Sequence, residues 1–186
     1  MSTIENVTAL FHAAVDEIRA ENDALAELFG HNEQYDKTIS KSVAILFEHI
    51  FVYLSFKGCL RKKLPFLLHW EDRYPDNPYR HVDLGLQNED GTKAYIEFKL
   101  WTSESGSEIS NDIDKLAAVT SGEKYIFVIS IGGDREKNIR FLEYDNERSR
   151  MKIKCMQYDT INVDVLNIAL KKHDIINMDI LLFQLL

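Results

Sequence analysis

The sequence predicts a single α/β (α+β) domain, and three features of the chain predict it. Two amphipathic helical patterns occupy the N-terminal part. A ribbon with a period of two follows at His81–Trp101. A short helical stretch then leads into a continuous β-branched run, Tyr125–Ile131. The length, 186 residues, suits one domain, and 45% hydrophobic residues are enough to bury a real core.

The first helix is expected from a Ser2 or Thr3 cap to Phe29, with Gly30 as its stop. Ile4, Phe11, Ile18 and Leu25 recur every seven residues, with Val7, Ala14 and Leu28 beside them. A helix laid on its own domain is the preferred reading of that stripe; a dimerisation helix is the other. Asp36 caps a second helix, about Lys37–Phe56, ended by Gly58. Ile39, Val43, Leu46, Phe47, Ile50 and Leu54 give it a wide apolar face, and Lys41, Glu48 and Ser55 a narrow polar strip opposite.

A strand is expected around Phe66–Trp70, then a turn cluster at Tyr74–Pro78. The ribbon comes next. Val82, Leu84 and Leu86 alternate with His81, Asp83 and Gly85; Ala94, Ile96, Phe98 and Leu100 alternate with Lys93, Tyr95, Glu97, Lys99 and Trp101. That alternation reads as two half-buried strands. Asn88-Glu89-Asp90-Gly91-Thr92 suits a three-residue loop, a type I turn followed by glycine with positive φ. Closing the turn on Asn88 and Thr92 sets Asp83 opposite Glu97 and His81 opposite Lys99. Carboxylates facing each other across a ladder lie about 5 Å apart at Cβ and repel. Lys99 or a hard divalent cation would relieve that repulsion.

A helix from Ser110 or Asn111 to Val119 follows a polar loop, Thr102–Ser107. Tyr125–Ile131 reads as a strand buried on both faces. Arg135–Tyr144 is expected to be helical. Arg150–Gln157 reads as a strand with Arg150, Lys152 and Lys154 on one face, either a phosphate contact or a charged edge guarding against aggregation. Val163–Lys172 is expected to be helical, and Met178–Leu185 a last strand or a buried tail.

Composition bounds the classes of function. Net charge is −8, which counts against bulk electrostatic coating of nucleic acid, so any nucleic-acid substrate needs a local basic groove. No apolar run is long enough to span a membrane and no secretory signal is visible. Cys59 and Cys155 lack paired motifs and read as reduced thiols of a cytoplasmic protein, and no zinc spacing links them to the six histidines.

An aspartate on the second strand of a meander, followed by Glu97-Phe98-Lys99 on the third, resembles the signature of the PD-(D/E)XK nuclease superfamily. The resemblance covers about Asp36–Ile131. It implies a restriction-endonuclease-like core, a central mixed sheet flanked by helices, with an extra N-terminal helix. In those terms residues 1–35 are a helical extension, 36–131 the nuclease-like core and 132–186 an α/β appendage. The family often has proline before the aspartate, where this chain has Val82.

The resemblance further implies a metal-dependent nuclease, with DNA favoured over RNA, leaving 5′-phosphate and 3′-hydroxyl ends. Asp83 and Glu97 would hold Mg²⁺ or Mn²⁺, with the Phe98 backbone carbonyl as a further ligand. Lys99 would position water or stabilise charge, since an ammonium beside two carboxylates is a poor base. Glu48 stands where the family often carries an acid on its first core helix. Arg61, Lys62, Lys63, Arg80, His81 and Lys115 are the candidate phosphate-backbone contacts. A larger protein complex could supply the missing basic surface, and restriction-type cleavage of both strands would need a homodimer. The alternative is a non-catalytic interaction module of the same fold that works through protein partners.

Overall fold

The computed structural model describes residues 2–29, 37–101, 106–131, 133–145, 151–163 and 176–186. It is a mixed α/β architecture. In chain order come α1 (Thr3–Phe29), α2 (Lys37–Lys62), β1 (Phe66–Tyr74), β2 (Asn77–Asn88), β3 (Lys93–Trp101), α3 (Gly106–Ala117), β4 (Glu123–Ile131), α4 (Arg135–Arg140), β5 (Ile153–Val163) and β6 (Ile176–Leu185). One six-stranded sheet runs β1-β2-β3-β4-β6-β5. The β3–β4 pair, joined through α3, is parallel; every other neighbour is antiparallel.

The sheet separates two cores. On one face, Val7, Phe11 and Ile18 of α1 and Phe51 and Leu54 of α2 pack on Leu84, Leu86, Ile96, Phe98 and Phe127. On the other, Ile109, Ile113 and Leu116 of α3 pack on Tyr74, Tyr95, Ile126 and Val128. Phe11 and Ile18 of the seven-residue stripe of α1, with Val7 beside them, are thus spent inside their own chain. At each fully buried side chain of this size, removal from water contributes on the order of 2 kcal/mol. The α1 register is also held by charge: the buried Glu17 carboxylate accepts from Arg61 at 2.9 Å and pairs with Lys57 at 3.2 Å.

Several element boundaries differ from expectation for identifiable reasons. Gly58 does not stop α2, which runs on to Lys62. A Cβ there would sit 2.5 Å from the Ala13 carbonyl oxygen, so this glycine is the point where α1 and α2 cross at backbone contact. The Tyr74–Pro78 cluster contains only a two-residue turn, Pro75–Asp76, because β2 already begins at Asn77. The helix after β3 starts at Gly106 rather than at Ser110. The helix expected over Arg135–Tyr144 is α4 followed by a π-helical turn, Phe141–Asp145. The last two strands are longer than the sequence reading allowed, and β5 is an outer strand of the sheet. The expected stop at Gly30, the cap at Asp36 and most of the helix expected at Val163–Lys172 lie outside the described residues.

Among the described residues no helix is long and apolar enough to cross a membrane.

Candidate functional site

The site is built on the β2–β3 hairpin, and its turn sets the register. The Gly91 amide donates to the Asn88 carbonyl at 3.0 Å, the Asn88 amide to the Thr92 carbonyl at 2.9 Å, and Gly91 takes φ +82. From this closure Gln87, Leu86, Gly85 and Leu84 pair with Lys93, Ala94, Tyr95 and Ile96. This is the register expected from the loop, and it delivers Asp83 and Glu97 to the same level.

Beyond Leu84 the hairpin departs from a regular ladder. The Phe98 amide donates to the Asp83 carboxylate at 2.8 Å. Val82 leaves the aliphatic set of Leu84 and Leu86 and packs in the core beneath α3. On the neighbouring strand, Glu71 takes φ +50 between the pairs Trp70–Leu84 and Asp72–Val82. A non-glycine residue in that region is strained, and such strain gathers at functional sites. His81 pairs with Arg73 of β1, and no β3 residue is its ladder partner.

Glu97 is 4% exposed and lies among polar groups from four elements. The Tyr74 hydroxyl of β1 donates to Glu97 Oε1, and the Glu97 carboxyl is hydrogen-bonded to Asp83. Burial, then the charge of Asp83, pushes the Glu97 carboxyl up to about 8. The Tyr74 phenol is raised far above the ordinary tyrosine value by burial and by Glu97, so it stays a donor. Asp112 of α3, itself buried, adds negative charge at both groups. It accepts an ion pair from Lys99 at 3.4 Å through one oxygen, and Lys115 donates to the other. Burial opposes the charge on Lys115, but the Asp112 carboxylate overrides it and holds the ammonium above its ordinary value.

Beside this cluster is an open groove of about 630 Å³ lined by Arg80 and His81 of β2 and by Asn111, Asp114 and Lys115 of α3. The structure therefore brings together Asp83, Glu97, Lys99, Arg80, His81 and Lys115. Other residues singled out in the sequence lie elsewhere. Arg61 pairs with Glu17 and Lys62 with Asp16 on α1, across the sheet from α3. Lys63 is exposed at the end of α2 with φ +51. Glu48 lies on α2, where only the backbone is described. Tyr95 belongs to the core, and Trp101 packs edge-on against Phe141.

Sequence reasoning missed Tyr74 and Asp112 as site residues. Tyr74 looked like part of a turn. Asp112 looked like one of several helix acids, and only the packing of α3 turns it inward.

The donor set fits a hard divalent ion. Such ions commonly take one or two carboxylates and complete their shell with water and substrate oxygens. Asp83 and Glu97 meet that need, and a cation would take the place of the proton that burial and Asp83 make Glu97 retain. Among the described residues no three His, Cys, Asp or Glu side chains form a closed metal cage.

Comparison with known proteins finds no matching family model, no matching characterised protein and no matching solved structure.

Proposed function

We propose that this protein is a metal-dependent nuclease of the PD-(D/E)XK type that hydrolyses phosphodiester bonds, with DNA as the favoured substrate. The observation that carries the reading is the hydrogen-bonded Asp83 and Glu97 carboxyl groups, with Lys99, Asp112 and Lys115 leading from them to a groove lined by Arg80, His81, Asn111, Asp114 and Lys115. A buried carboxyl in contact with a second, half-buried acid is costly for a fold to keep without a cation. Arg80, His81 and Lys115, in a groove that also carries Asp114, are the local groups by which a chain of net charge −8 could hold a phosphate backbone.

Asp83 and Glu97 would hold Mg²⁺ or Mn²⁺, with the Phe98 carbonyl as a third ligand. The bound ion would supply charge stabilisation at the scissile phosphate and a more acidic water. The Phe98 amide fixes the Asp83 carboxylate, and the Tyr74 hydroxyl fixes that of Glu97. Lys99, paired to Asp112, is suited to orienting water and neutralising the developing negative charge rather than to accepting a proton. Arg80, His81 and Lys115 would bind phosphates along the groove. Cleavage would leave 5′-phosphate and 3′-hydroxyl ends.

Incubation with plasmid, single-stranded DNA and RNA tests this, with Mg²⁺, Mn²⁺ or EDTA. Cleavage that needs the metal and is lost in Asp83→Ala and Lys99→Ala is expected. Cleavage that persists in EDTA or in either variant refutes the mechanism.

The second reading is an interaction module without catalysis. The exposed Leu60, Leu67 and Trp70 side chains on α2 and β1 favour it, because they offer apolar area to a protein partner. Absence of cleavage with every substrate, together with no metal-induced rise in Tm, would decide for it.

A further inference from the structure

We propose that Asp112 is a positioning residue of this site, a single buried carboxylate that holds Lys99 beside the paired acids with one oxygen and Lys115 at the groove with the other. The inference rests on the nuclease reading of the Asp83–Glu97 pair and adds to it a residue on α3 that the superfamily signature does not contain.

The geometry assigns the two oxygens separately. Lys99 Nζ lies 3.4 Å from Oδ2, and Lys115 Nζ bonds Oδ1. The two lysines differ in setting. Lys99 is on β3, its side chain 15% exposed, two residues from Glu97; Lys115 is on α3, 42% exposed, and lines the groove. Asp112 therefore connects the place where phosphate would bind to the place where charge would develop. Its carboxylate is also close enough to influence Glu97 and Tyr74.

A purely structural role fits less well. A buried ion pair is a poor stabiliser, and well-packed apolar side chains in its place often serve a fold as well or better. The α3–sheet interface already has such packing in Ile109, Ile113 and Leu116. What an apolar residue could not do at position 112 is fix two ammonium groups in different places. A long, flexible lysine has many rotamers, and a fixed partner removes the disorder that would otherwise be lost at the transition state.

The test uses Asp112→Asn, which keeps the shape and removes the charge. Because this leaves two ammonium groups without their carboxylate, Asp112→Asn/Lys115→Gln is made as well, in case the single variant fails to fold. Two measurements are read on each. The first is independent of activity: hydrogen exchange at the Lys99 ammonium by ¹H–¹⁵N spectroscopy, the signal being assigned by its loss in Lys99→Gln. Release from Asp112 should speed exchange by about tenfold or more. The second is steady-state cleavage with Mg²⁺, where kcat should fall by about tenfold or more in the single variant.

Unchanged exchange at Lys99 overturns the inference, and so does faster exchange with wild-type kcat. A wild-type protein that cuts nothing while Asp112→Asn still speeds exchange at Lys99 overturns the nuclease reading and leaves the grip of Asp112 on Lys99 established. A loss of kcat matched by an equal loss of folded protein, with exchange unchanged, assigns Asp112 to structure alone.

Discussion

Replacing Glu97 with glutamine should stabilise the metal-free protein, and increasingly so as pH rises. Glu97 titrates near 4.5 in an unfolded chain and is pushed up to about 8 in the folded one by burial and by Asp83. Between those values the native state retains a proton that the unfolded state has released, so stability falls as pH climbs through the window. Below the unfolded value the group costs nothing; above the folded value the cost is complete. At 1.36 kcal/mol per pH unit the penalty is about 1 kcal/mol at pH 5, about 3 at pH 7 and about 5 at pH 9. The amide introduced by Glu97→Gln would keep an acceptor for the Tyr74 hydroxyl and carry no charge at any pH. Urea or thermal unfolding of both proteins in EDTA at those three pH values measures the difference. For a domain of this size each kcal/mol moves Tm by about 2–4 °C, so the gap at pH 9 should be about 10 °C or more. A difference that stays constant with pH, or a variant less stable than wild type at pH 9, would refute the account of a buried acid pair.

Mg²⁺ should narrow that gap, because only the wild type has both carboxylates; at one hundred times Kd the ion stabilises by about 2.7 kcal/mol, and differential scanning fluorimetry should show the rise in wild type and lose it in Asp83→Asn. Arg80→Ala and Lys115→Ala should each weaken binding of single- or double-stranded DNA and flatten its log–log salt slope by about 1, and an unchanged slope would remove that residue from the groove's phosphate contacts. Gly58→Ala should lower Tm despite a gain of about 1 kcal/mol in helix propensity, since overpacking at a backbone contact commonly costs about 1–3 kcal/mol; a raised Tm would show that α1 and α2 can separate freely.

Much of this arrangement was legible in the chain because it is local. The Asn88–Thr92 turn and the alternation on either side suffice to place Asp83 level with Glu97, since a hairpin's register follows from its loop. The β-branched run of β4 showed a strand buried on both faces for the same kind of reason. What was not legible depends on partners distant in sequence. Gly58 looked like a stop because nothing near it says that Ala13 lies against it. The flip of Val82 reflects the strain at Glu71 on the adjacent strand and the reach of Asp83 to the Phe98 amide. Tyr74 and Asp112 come to Glu97 from β1 and α3 only after the sheet and helix have packed. Arg61 and Lys62 looked like a basic cluster; seen with α1 they are partners of Glu17 and Asp16.

The order of strands has a consequence for biosynthesis. Strand β6 sits between β4 and β5, although it is made after both. While the ribosome is still extending the chain, β4 has a neighbour on the β3 side only, and its other edge, Lys124–Ile131, is open. Strand β5 has no place in the sheet until Ile176–Leu185 emerges, because among the described residues β6 is its only ladder partner. Leu181 and Phe183 on one face and Ile180 and Leu182 on the other then close both cores in a single step. A nascent chain arrested before Ile176 should therefore expose an aggregation-prone edge and be cleaved readily by protease, whereas one released beyond Leu185 should resist it.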